Sequence, residues 1–107
     1  METLLTPEVA FHLMAIRELC VEFGVVRLEV FGSAADGTFD PIDSDVDFIV
    51  EFGPEFRYGP WGSRFDEFED RLAEILDRPV DVLTPSQLGN PFFIRSVNMS
   101  RKLVFAA

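Results

Sequence analysis

The sequence predicts an α+β fold of the mixed α/β kind: a small mixed β-sheet with flanking helices, forming a single domain over residues 1–107. Three observations carry that prediction. Apolar residues recur at helical spacing in an N-terminal segment and again between Phe65 and Leu76. Runs at Val25–Phe31, Asp45–Phe52 and Pro79–Leu83 alternate near a period of two and are rich in β-branched residues. The two kinds of segment interleave as helix, strand, turn, strand, helix, strand, helix, strand, which asks for helices packed on a sheet. A chain of 107 residues supports one modest core and no second domain of useful size.

Each element has local reasons. Thr6-Pro7-Glu8 reads as a helix start: a capping hydroxyl, a proline where its missing N–H costs nothing, and an acid in the first turn. Val9, Leu13, Ile16, Cys20 and Phe23 follow on one face, and Gly24 is a natural stop. The next run, Val25 to Phe31, predicts a strand with Val26, Leu28 and Val30 on one face, ended by Gly32-Ser33. Ala34 to Gly37 suits a short helical turn, and Thr38 to Ser44, with Pro41, a loop. In the second strand, Val46, Phe48, Val50 and Phe52 oppose Asp45, Asp47, Ile49 and Glu51.

Gly53 to Ser63 is a long irregular connection that carries Phe56, Arg57, Tyr58 and Trp61. Arg57, Tyr58 and Trp61 are candidates for base stacking or partner contact, set against the plainer reading that such rings roof a small core. Phe65, Phe68, Leu72, Ile75 and Leu76 mark a helix whose outer face, Asp66, Glu67, Glu69, Asp70 and Glu74, is solvated surface. Pro79 to Leu83 predicts a third strand. Thr84-Pro85 and Asn90-Pro91 each read as a helix start, and Lys102 to Ala106 as a last short strand.

Acidic residues outnumber Lys and Arg 19 to 9, a formal net charge of −10. A field of that sign repels nucleic-acid backbones and excludes a stand-alone DNA or RNA binder; a basic partner or bound cations suit it. The one cysteine, Cys20, forms no internal disulfide and reads as a small core residue, and His12 reads as surface. No cationic start followed by an apolar run is visible, and no apolar stretch approaches the ~20 residues of a membrane-spanning helix, so a cytoplasmic protein is expected.

The chemistry concentrates between Phe31 and Glu51. Asp45 and Asp47, two apart on a strand, project from one face with Cα atoms on the order of 6 to 7 Å apart. Such carboxylates repel unless a cation lies between them, and hard divalent ions take a few carboxylates together with substrate phosphates. Alone, the pair also fits two solvated acids at a strand end. Gly32-Ser33 alone is an ordinary turn, but after a strand it exposes backbone N–H groups and a hydroxyl to a phosphate with no Cβ in the way. Only residues 34–44 separate the two features, so together they can hold both ends of a nucleoside triphosphate's charged tail.

Phe31-Gly32-Ser33, Asp45-Val46-Asp47-Phe48-Ile49-Val50 and the isolated Asp81 within Arg78-Pro79-Val80-Asp81-Val82-Leu83-Thr84-Pro85 closely resemble the minimal nucleotidyltransferase (MNT) family of the DNA polymerase β superfamily. The resemblance covers nearly the whole chain. It implies a nucleotidyltransferase that binds ATP with two Mg²⁺ ions and transfers AMP to an acceptor hydroxyl. By position it makes Asp45, Asp47 and Asp81 the catalytic metal ligands, with Asp81 also helping to deprotonate the acceptor, and Gly32 and Ser33 the holders of the β and γ phosphates. Members of this size commonly pair with a HEPN-domain RNase toxin as its antitoxin and AMPylate a tyrosine of that partner. Two readings compete: an antitoxin that neutralises by docking alone, and a transferase acting on a small molecule or an RNA end. The chain departs from the family pattern in two places. Eleven residues lie between Ser33 and Asp45, one more than usual, and position 34, often Arg, is Ala. Asp36 and Asp43 are read as solvated neighbours.

Overall fold

The computed structural model describes residues 7–32 and 45–107. The N-terminal helix is broken in two, α1 (Pro7–Phe11) and α2 (Leu13–Phe23). His12 sits between them with φ −101° and ψ 12°, outside the helical well. The break leaves the buried stripe in phase, because Val9 and Ile16 are seven residues apart and both are fully buried. Leu19 joins Cys20 and Phe23 in the core, whereas the expected Leu13 only packs against its edge. Gly24 ends α2 at φ 69°, its N–H donating to the carbonyls of Cys20 and Val21.

Four strands, β1 (Val25–Phe31), β2 (Val46–Phe52), β3 (Val80–Leu83) and β4 (Lys102–Ala106), form one mixed sheet in the order β3-β2-β1-β4. β1 lies antiparallel to β2 and β4, while β3 lies parallel to β2. Parallel neighbours need a crossover, and α3 (Ser63–Leu76) supplies it. The expected inward face of β1 is corrected at its start. Val25 is buried and Val26 is 40% exposed, because the pairing register shifts between Val25 and Arg27; beyond that irregularity Leu28 and Val30 point inward as expected.

The two faces of the sheet are covered unequally. On one, α2 and α3 bring Ile16, Leu19, Cys20, Phe23, Phe68, Leu72 and Leu76 against Leu28, Val30, Val46, Phe48, Val50 and Val104. On the other, α4 (Pro91–Ser100) presses Val97 onto Phe31 and Ile49, with Leu83 and Leu88 beside them. That second cluster is small.

Asn90-Pro91 opens α4 as its composition predicts, with Asn90 Oδ1 accepting the N–H of Phe92 at 2.8 Å and of Phe93 at 3.4 Å. Thr84-Pro85 opens only a three-residue 3-10 turn, Pro85–Gln87. There the Gln87 side chain accepts the Thr84 N–H at 2.8 Å, and the turn is over before an α-helix can propagate. The expected cap at Thr6, the helical turn at Ala34–Gly37 and the loop of Thr38–Ser44 lie outside the described residues.

Candidate active site

The sheet register places the candidate residues in one row. Phe31 pairs with Asp47 across β1 and β2, and Asp47 pairs with Asp81 across β2 and β3. Alternation along β2 puts Asp47 on the face of Ile49, the face that α4 partly covers. Asp47 is half-buried, while Asp81 and Asp45 are exposed; Asp45 stands just before the first residue of β2.

This arrangement sets the electrostatics. Burial pushes the Asp47 carboxyl up from 3.8 to about 6, and the charge of Asp81, a hydrogen bond with Asp81 and the charge of Asp45 push the same way. The pair therefore holds a proton more tightly than a free carboxylate does. A divalent ion would replace that proton. Among the described residues, no three His, Cys, Asp or Glu side chains are gathered closely enough to hold an ion unaided. The donor set, two neighbouring carboxylates with a third at the strand entrance, instead fits a cation that shares its shell with water and substrate phosphate.

Gly32 is placed by this geometry as well as by its turn. Its φ is +73°, and a Cβ there would lie 2.8 Å from Asp47 Oδ2, a separation that real Cβ atoms do not show. The glycine therefore makes room for the carboxylate. Its N–H is already in use, donating to Ser100 Oγ at 2.9 Å. Ser33, Ala34, Asp36, Pro41, Ile42 and Asp43 lie outside the described residues.

Several contributors carried no sequence signal. Glu69, expected on the solvated face of its helix, is half-buried, and its Oε2 accepts the N–H of Val82 at 3.2 Å, which pins β3 beside Asp81. Glu29 is 5% exposed. Arg101 grips it through Nε at 3.0 Å and Nη2 at 2.5 Å, and Arg27 Nε adds a third bond at 3.2 Å. Burial pushes the Glu29 carboxyl up, but the hydrogen bonds from Arg101 and Arg27 outweigh it and the net direction is down. Arg27 and Glu29 are two apart on β1, but Arg101 lies 72 residues from Glu29 and Val82 lies 13 from Glu69, spacings that follow no periodicity.

The other singled-out residues are remote or inert. The loop of Arg57, Tyr58 and Trp61 leaves the far end of β2, about 17 Å along the strand from Asp47. Tyr58 joins a ring cluster with Phe52, Phe56 and Phe65, the roofing role. Trp61 is fully exposed, and Arg57 lines a cleft of about 450 Å³ at that same end. Cys20 is buried, and burial pushes its thiol up to about 12. His12 is partly buried, with its ring edge-on to Phe11.

Comparison with known proteins follows the same lines. The family model described as "Nucleotidyltransferase domain" matches residues 13–104. A candidate protein adenylyltransferase of Methanocaldococcus jannaschii is 34% identical over 76 residues, which cover 71% of this chain and 73% of that protein. The solved structure of a candidate minimal nucleotidyltransferase superposes with a TM-score of 0.70 at 26% identity, over 88% of this chain and 90% of that one. A chain from the structure of a tri-AMPylated HEPN toxin in complex with an MNT antitoxin, from Shewanella oneidensis, gives a TM-score of 0.62 at 17% identity, over 92% of this chain and 72% of that one. At 17% identity the likeness is one of fold.

Proposed function

The chain belongs to the nucleotidyltransferase domain family, and from that membership we propose that it is a Mg²⁺-dependent protein adenylyltransferase, the antitoxin of a HEPN toxin, moving AMP from ATP to a tyrosine hydroxyl of that partner. The observation that carries the reading is Asp47 set beside Asp81 by the parallel register, with Gly32 shaped around the Asp47 carboxylate. The M. jannaschii relative, named for protein adenylyl transfer, and the fold shared with a chain of an AMPylated toxin–antitoxin complex support the choice of acceptor class. The single domain and a cytoplasmic setting, where ATP and such a partner are found, belong to the same proposal.

Asp45, Asp47 and Asp81 are the residues that would hold two Mg²⁺ ions. When bound, the metal supplies charge neutralisation at the attacking and leaving oxygens of an in-line displacement. The acceptor oxygen forms a bond to the α-phosphorus, the bond to the bridging oxygen breaks, and pyrophosphate leaves with that electron pair. Asp81, exposed at the edge of the row, takes the acceptor's proton and passes it to water. Asp47, half-buried, holds its place at the centre of the row. Gly32 provides the turn and the missing Cβ, and the hydroxyl of Ser33 would donate a hydrogen bond to the phosphates in this scheme. The residues thus divide into a carboxylate row and a turn that receives the triphosphate.

The test uses labelled ATP, Mg²⁺ and the product of any HEPN gene that neighbours this one. Label moves to a tyrosine of the partner with the wild type and is lost with Asp45→Asn/Asp47→Asn; transfer undiminished in that variant would falsify the assignment. The second reading is neutralisation by docking alone, with the acids kept as structural residues. Under that reading the double variant still binds the partner and still protects cells from it.

A further inference from the structure

Two consecutive residues at the end of α4 tie that helix to β1. Ser100 Oγ accepts the Gly32 N–H at 2.9 Å, joining residues 68 apart in the chain. The same hydroxyl lies 3.5 Å from the carbonyls of Ser96 and Val97, so it can accept from the turn while donating back to its own helix. Arg101, the next residue, grips Glu29, which stands in β1 three residues before Gly32. The strand end is therefore held at two points, one beneath the turn and one on the turn itself.

The second point has a consequence for the site. The hydrogen bond that the Gly32 N–H donates to Ser100 Oγ fixes the plane of the Phe31–Gly32 peptide. Rotation about the next bond, the Gly32 φ of +73°, sets where the chain goes towards Ser33 and how close Gly32 lies to Asp47. Among the described residues, the Ser100 hydroxyl is the acceptor that holds this N–H. Without an acceptor for its N–H, the peptide is free to rotate among the many conformations open to glycine, and the turn no longer holds one shape against the carboxylate.

We propose that Ser100 is a positioning residue of the nucleotide site, acting through the Gly32 amide to hold the turn in the shape that receives the triphosphate beside Asp47. The proposal rests on the nucleotide reading above and adds a residue to it. Ser100 touches no reacting atom. The helix α4 thereby becomes part of the site's frame, with its last residue placed on the turn and Val97 on Phe31 directly before it.

The experiment compares wild type, Ser100→Ala and Ser100→Thr by amide hydrogen exchange at Gly32 and by titration with a non-hydrolysable ATP analogue and Mg²⁺. Thermal melts confirm that each variant folds. Because one hydrogen bond contributes about 1 kcal/mol net, exchange at Gly32 should quicken about fivefold in Ser100→Ala and analogue binding should weaken by a similar factor. Ser100→Thr, which keeps the hydroxyl, should restore both. In turnover with the partner toxin, Ser100→Ala should raise KM for ATP more than it lowers kcat. Unchanged exchange at Gly32 would show that the tie does not exist. Quickened exchange with equal or tighter analogue binding would show that it does not position the turn. Quickened exchange in a protein whose wild type binds no analogue would instead overturn the nucleotide reading itself, and with it the role given to Ser100.

Discussion

At Asp47, burial and the neighbouring carboxylates of Asp81 and Asp45 all oppose ionisation, and the group is pushed up from 3.8 to about 6. A carboxyl that holds its proton more tightly folded than unfolded stabilises the fold below about 4, and that contribution is lost as pH rises through about 6. Metal-free protein in EDTA should therefore melt at a higher temperature at pH 5 than at pH 7.5. Glu69, also pushed up, chiefly by burial, adds in the same direction, so the decisive comparison is with Asp47→Asn, which should flatten the difference and raise the melting temperature at pH 7.5. Added Mg²⁺ should stabilise wild type more at pH 7.5 than at pH 5, because the ion and the proton compete for one carboxylate. Gly32 answers to the same carboxylate. Gly32→Ala combines a positive φ with a Cβ 2.8 Å from Asp47 Oδ2, and should cost about 1 kcal/mol or more in a urea melt while abolishing transfer.

Elements are placed here by polar ties as much as by apolar stripes. The Glu29–Arg101 clamp fastens the end of α4 to β1, and Glu29 is almost wholly removed from water. Arg101→Met leaves Glu29 with Arg27 as its partner among the described residues and should destabilise the fold by about 2 kcal/mol, read as a lower urea midpoint with an unchanged slope. Strands and helices were legible in the sequence because periodicity reports burial, and the Asp45–Asp47 pair was legible because alternation along a strand puts every second side chain on one face. Asp81 became a site candidate only through family resemblance. A strand written alone does not state its register, and it is the crossover through α3 that sets Asp81 opposite Asp47. Val26 was misplaced because one irregular pairing step reverses the side-chain phase. Glu69 was misread because a helix wheel shows which way a side chain points but not that a neighbouring strand end offers it an N–H. The Ser100–Gly32 bond joins residues whose types are common and whose spacing repeats nothing.

The whole molecule presents an acidic field, with a formal net charge of −10. Much of it lies on exposed residues of α3, where Asp66, Asp70 and Glu74 face solvent and act at a distance, while Glu67, also exposed, pairs with Arg64. The partner proposed above is an RNase, which binds a polyanion and so carries a basic face; an acidic antitoxin would be steered towards that face before any contact forms. Steering acts on encounter, and screening removes it: the Debye length falls from about 30 Å at 0.01 M salt to about 3 Å at 1 M. Under the proposed function, the association rate with the HEPN toxin should therefore fall about tenfold or more between about 0.02 and 0.5 M NaCl, while the dissociation rate changes little, a pair of constants that stopped-flow or surface-resonance measurement separates. Charge reversal of Asp66, Asp70 and Glu74 to Lys should lower the low-salt association rate and flatten its salt dependence. Asp45→Asn/Asp47→Asn removes only two of the nineteen acids and should leave the association rate nearly unchanged, which keeps encounter separable from chemistry. A rate indifferent to salt in the wild type would mean that the acidic surface serves solubility alone, and that partner choice is made by the shape of the contact.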